Sequence, residues 1–251
     1  MHIDEEEENE LETSAKMSFL DHLEELRHRI IVSLSAVGIG FLVCWSYSSQ
    51  IYNFLAVPIT KHLNGQKLVF TNPTEPFSLY MKVALIAGIF LTSPVVLWQV
   101  WLFISPGLYA REKKFAAPFV ICSSMLFVLG GIFAYYIAFP MTLRFLLSVG
   151  ESFQPMVTIN EYFDLALTVY LGCGIIFEIP ILIFFLSIFG IVSAGFLVKN
   201  LRYAILIIFI AAAVITPTTD IPTMMVFSMP MLLLYMIGIF VAWIFGKRSL
   251  R

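Results

Sequence analysis

Charge is scarce in this sequence. Asp, Glu, Lys and Arg make up 13% of its 251 residues, about half the share found in soluble domains, so most of the surface is not built to face water. No basic stripe of useful length occurs, which argues against nucleic acid as a partner. Cysteine is sparse too. Cys44, Cys122 and Cys173 all lie inside apolar runs, and no pair has metal-ligand spacing; they read as packing residues and imply no metal site. The four histidines, His2, His22, His28 and His62, stand outside the apolar runs. HExxH, GxSxG, paired intramembrane aspartates and glycine-rich phosphate loops are all missing, so neither an enzyme nor a bound cofactor is expected. No internal repeat appears, and the inverted-repeat architecture of many secondary transporters lacks support.

What fills the sequence instead is hydrocarbon. Hydrophobic residues make up 59%, Phe alone occurs 24 times, and the mean hydropathy is +0.89. A membrane span needs about 20 apolar residues. Charge-poor stretches of that kind cover roughly 30–49, 83–103, 115–139, 163–189 and 224–245, with a shorter one at 203–216. They predict an all-α integral membrane protein with six transmembrane helices, organised as one domain over residues 17–251. Pro94, Pro118, Pro140, Pro180 and Pro230 fall inside or at the ends of these runs. Proline removes an amide and kinks a helix, so the bundle is expected to be bent into a curved wall. The short fifth span, about 21 Å at 1.5 Å per residue, falls short of a hydrocarbon core of roughly 30 Å and should sit beside thinned bilayer.

Residues 1–16, MHIDEEEENELETSAK, hold seven acids and one lysine. That density without an apolar core predicts a disordered, solvating tail. It lacks the basic start and apolar centre of a signal peptide. Elsewhere the cations are unevenly shared. Eleven Lys and Arg fall in the N-terminal segment, the second and fourth loops and the C-terminal tail; Lys61, Lys67, Lys82 and Arg144 fall on the other side. By the positive-inside rule both termini are cytoplasmic. The first outer loop contains the turn-rich NPTEPF and an amphipathic patch, QIYNFLAVPI, expected to lie along the interface.

Carboxylates are the residues that need explaining. MSFLDHLEELRHR, residues 17–29, runs directly into the first span. Phe19, Leu23, Leu26 and Ile30 recur at helical spacing; Asp21 and Glu25, and Glu25 and Arg29, are four apart. An interfacial helix laced with its own ion pairs accounts for the pairs but not for two stacked acids. Glu112 stands among Arg111, Lys113 and Lys114 in SPGLYAREKKF. It reads as internal charge balance or, with Glu25, as one of two carboxylates at a single membrane surface, suited to two guanidinium groups. Glu178, in GIIFEIPILIF, costs about 2.5–3.5 kcal/mol near a helix centre. It is either a functional group or a hydrogen-bond anchor to a partner such as Gln99 or a threonine. Asp220 in TPTTDIPT is placed to cap the last helix ahead of Pro222.

HLEELRHRI, NPTEPFSLYMKV, SPVVLWQVWLFISPGLYAREKKF, GGIFAYYIAFP and GIIFEIP, in this order, resemble the TatC family, the polytopic subunit of the twin-arginine protein translocase, over about residues 17–246. The resemblance implies a concave, glove-like bundle in the bacterial plasma (inner) membrane that exports folded proteins. It implies binding of signal peptides with consecutive arginines, self-association, and assembly with single-span TatA and TatB subunits. Glu25 matches the family glutamate of the first segment, Arg27 the adjacent arginine, Phe103 the aromatic entering loop two, and Glu112 the glutamate of that loop. Pro58 matches a proline of the first outer loop, Glu178 the acid on the concave face, and Asp220 the aspartate of the last outer loop, here one residue further along than in a TPPD form. A proton-coupled small-solute transporter using Glu178 is the alternative, and a structural scaffold a third.

Overall fold

A backbone surrounded by lipid must satisfy its own amides and carbonyls, and an apolar chain does so as helix. The computed structural model describes residues 3–60, 68–104, 116–150, 156–188, 190–216 and 220–245, and nearly all of these are helical. Helix α1 is Ile3–Ser46; α2, Ser48–Leu55, and α3, Val57–Thr60, follow as short segments. Then come α4, Glu75–Ile104, and α5, Ala116–Phe133, which passes through a π-helical turn at Ala134–Ala138 into α6, Phe139–Val149. Helices α7, Ile159–Ile176, and α8, Ile179–Ile188, share one apolar run, followed by α9, Ala194–Lys199, α10, Leu201–Ile215, and α11, Ile221–Phe245.

Among the described residues, five stretches are long and apolar enough to cross a membrane: His22–Ser46, Glu75–Phe103, Pro118–Val149, Ile159–Ile188 and Ile221–Ile244. Leu201–Ile215 is apolar but shorter. Its 15 residues reach only about 22 Å.

Helix α1 is drawn from Ile3, through the acidic stretch; Glu, Leu and Ala are strong helix formers. One feature differs from the sequence reading. The third span, expected to stop near 139, runs to Val149. Pro140 offers no amide to the carbonyl four residues back, and the π turn just before it shifts the hydrogen-bond ladder by one residue. Thr142 Oγ1 also caps the Ala138 carbonyl at 2.9 Å. The QIYNFLAVPI patch packs one side on protein and leaves Phe54 exposed. Ala56, Pro58 and Ile59 are buried, and Tyr52 stacks on Phe163 with ring centroids 5.2 Å apart.

Small residues let the spans approach closely. Helix α1 crosses α4 where Gly40 meets Gly88: a Cβ on Gly88 would stand 2.8 Å from the Phe41 amide nitrogen. Helix α5 meets α7 at Gly130, where a Cβ would stand 2.5 Å from the Cys173 carbonyl oxygen. The core gathers Leu79, Val83, Phe139, Tyr162, Phe163 and Val169. Leu34, Leu206, Val214 and Trp243, by contrast, are well exposed, as lipid-facing residues are. At one end the two long loops are tied together: Val69 donates to Val157 (3.2 Å) and Ile159 to Val69 (2.9 Å).

Candidate functional site

The first polar site lies between α1 and α4, beyond the Gly40–Gly88 crossing. Leu26, Arg29, Ile30, Ser33 and Leu34 of α1 face Val96, Gln99, Val100 and Phe103 of α4 across a groove of about 320 Å³. The helical repeat brings Glu25 and Arg29 onto one side, and Arg29 Nη2 donates to Glu25 Oε1 at 3.1 Å. Both side chains are about three-quarters buried, so the pair is more protected than an exposed one, which contributes about 0.2–1 kcal/mol. The other arm of the guanidinium, Nη1, donates to Gln99 Oε1 at 3.5 Å. The His22 ring stacks on Phe103, centroids 4.6 Å apart and planes at 22°. Arg27 is exposed. A guanidinium and an aromatic ring thus line one apolar trough, and Glu25 is tied to it through Arg29. Glu112 lies outside the described residues.

The second polar site is the break between α7 and α8. Pro180 has no amide for the Ile176 carbonyl, and the chain tightens into a turn at Phe177 and Glu178. Glu178 N bonds Ile175 O at 3.1 Å and Leu182 N resumes the ladder at Glu178 O at 2.9 Å. Glu178 Oε2 accepts a hydrogen bond from Ser123 Oγ of α5; Oε1 is buried without a protein donor among the described residues. Gln99, offered as a partner by the sequence, is occupied with Arg29 instead. Ser123 is the partner the sequence reading missed, and its only signal was a hydroxyl within an apolar run.

The residues of the other loops make local contacts. Asp220 Oδ2 accepts from Thr223 N at 2.7 Å, the N-cap that its position predicts. Pro58 has no amide to offer Phe54 O four residues earlier, and the Tyr135 hydroxyl donates to that carbonyl at 2.8 Å. Glu75 in NPTEPF, also unanticipated, is buried and accepts from the Thr71 amide (3.2 Å) and hydroxyl (2.7 Å). Across α4 and α7, Lys82 donates to Asp164 at 2.5 Å. No His, Cys, Asp and Glu group among the described residues is arranged to hold a metal ion.

Apolar spans with polar groups held at helix ends and helix breaks define a multi-pass membrane protein whose sites suit binding. Comparison with known proteins narrows that class. The family model for the Sec-independent protein translocase protein (TatC) matches residues 21–230. A protein of that name from Koribacter versatilis is 55% identical over 239 residues, covering 94% of this chain and 88% of the relative. Two solved structures of the twin arginine translocase receptor TatC superpose on it. One has a TM-score of 0.77 at 37% identity, covering 88% of this chain and 97% of the other. The second, in DDM, has a TM-score of 0.80 at 36% identity, covering 88% and 99%. This chain belongs to the TatC family. Those names describe a translocase and a receptor rather than an enzyme, and the small-solute transporter alternative gains no support from them.

Proposed function

We propose that this protein is the signal-peptide receptor and core subunit of a twin-arginine translocase, exporting folded proteins across a bacterial inner membrane. Residues 17–251 act as one domain with six crossings. Both termini are cytoplasmic, on the strength of the uneven cation distribution. The observation that carries the reading is Glu25, a carboxylate paired with Arg29, whose side chain lines an apolar groove together with Phe103. A signal peptide presents two guanidinium groups and then an apolar stretch. Glu25 and Glu112 take the arginines through charge-assisted hydrogen bonds, each contributing about 1.5–3 kcal/mol. The apolar stretch lies along the groove, and Arg27 stays solvated next to the site, where it helps set the topology.

Glu178 and the short α10 supply a polar, thinned region within the bilayer, where lipid resists an arriving peptide least. TatA- and TatB-type subunits and further copies of this chain assemble around it, with Pro58 and Asp220 holding the outer loops in shape for those contacts. The test is titration of the purified protein with a labelled twin-arginine peptide. Glu25→Ala with Glu112→Ala should abolish binding, and Glu25→Lys should be worse than Ala through repulsion. Affinity unchanged by the double substitution overturns the reading.

A further inference from the structure

Glu25 already holds a guanidinium. Arg29 reaches it from the next turn of α1 at 3.1 Å, while the other arm of the same side chain reaches across the groove to Gln99 at 3.5 Å. Arg29 Nε is buried and has no protein acceptor among the described residues. A cation needed only to balance Glu25 along its own helix has no use for a second acceptor on α4.

We propose that Arg29 is a built-in counter-ion that occupies, in the resting protein, the place on Glu25 taken by a signal-peptide arginine on binding, with Gln99 receiving Arg29 when it is displaced. The proposal rests on the receptor reading above. A carboxylate three-quarters buried would be costly to leave unpaired. Arg29 removes that cost while the site is empty. Binding is then an exchange of one charge-assisted pair for another, and affinity follows the difference between them. A ligand must outcompete a planar, forked donor. A guanidinium can match it, whereas an ammonium, a point charge without the fork, is at a disadvantage. The competitor lowers affinity for every cationic ligand by the same factor, so it sets how tightly the site binds, while the choice of arginine over lysine rests on the fork itself.

The experiment measures binding of a twin-arginine peptide and its twin-lysine counterpart to the purified full chain, wild type and variants, with thermal midpoints as the check on folding. Arg29→Gln should tighten the arginine peptide about two- to five-fold, the range set by losing a competing pair of this kind, and the lysine peptide by the same factor, because the competitor belongs to the free receptor common to both. Gln99→Leu should weaken both, because Arg29 loses its alternative acceptor. In the double variant the Gln99 substitution should have no further effect. Arg29→Gln that weakens binding, or leaves it unchanged, overturns the exchange. Should Arg29→Gln not fold, Gln99→Leu decides alone: weaker binding supports the exchange, and wild-type binding overturns it. Glu25→Ala in the same titration separates the two claims. If it binds like wild type, the receptor reading itself fails; if it loses binding while Arg29→Gln does not tighten it, only the exchange fails.

Discussion

A single hydroxyl decides how Glu178 is tolerated. Ser123 is fully buried and donates to one oxygen of a carboxylate in the break of a membrane span. Replacing Ser123 by Ala leaves that oxygen without its donor, and an unmet buried acceptor costs about 1–3 kcal/mol. The thermal midpoint of Ser123→Ala in detergent should fall, and Glu178→Gln should recover much of the loss, because a neutral amide is cheaper to bury. Glu25 and Glu178 were both singled out in the sequence, because a carboxylate is conspicuous among apolar residues. Their partners were less legible. Arg29 is four residues from Glu25 and could be anticipated. Ser123 is 55 residues from Glu178, and Gln99 is 70 from Arg29, separations that no local pattern encodes.

At the level of elements, contact between α1 and α4 depends on two glycines. A Cβ on Gly88 would fall 2.8 Å from the Phe41 amide nitrogen and 3.0 Å from the Gly40 carbonyl carbon, and backbone atoms do not yield as a side-chain tip does. Gly88→Leu should force the helices apart at the crossing and cost at least the roughly 1–3 kcal/mol typical of overpacking. It should also misalign Gln99 with Arg29 beyond the crossing. The check is a lower thermal midpoint together with loss of disulfide formation between cysteines introduced at Ser33 and Val96 in a cysteine-free background. Helix existence was readable from charge-poor runs, since a chain in lipid has few alternatives to helix. Helix ends were not, because α4 and α7 extend past the apolar core into residues such as Glu75 and Asn160 that pattern alone assigns to loops. The kinks at Pro140 and Pro180 follow from the missing amide, but whether a proline gives a π turn or a clean break depends on what packs around it.

For the whole molecule, the unequal distribution of cations predicts orientation. In a protein with Cys44, Cys122 and Cys173 replaced by Ala, a cysteine at Ser148 should react with an impermeant maleimide added outside intact cells. One at Ser249 should react only after the membrane is opened. The reverse pattern would invert the proposed topology and place Glu25 on the wrong face for an incoming signal peptide. One end of the molecule holds its shape through contacts between segments distant in the chain, in particular Val69 with Val157 and Ile159 and the Tyr162 hydroxyl with Leu55 O. No stretch of sequence announces them.

The sequence by itself determined that this protein lives in a bilayer, that its spans are helices, and which carboxylates are out of place, because burial of charge in hydrocarbon is costly enough to leave a mark in composition. Only the tertiary structure decided what those carboxylates touch. Close approach at Gly40 and Gly88, and the turn forced by Pro180, bring side chains from different spans within hydrogen-bonding distance. Such contacts depend on where helices cross, and crossing points are set by packing between segments far apart in the chain.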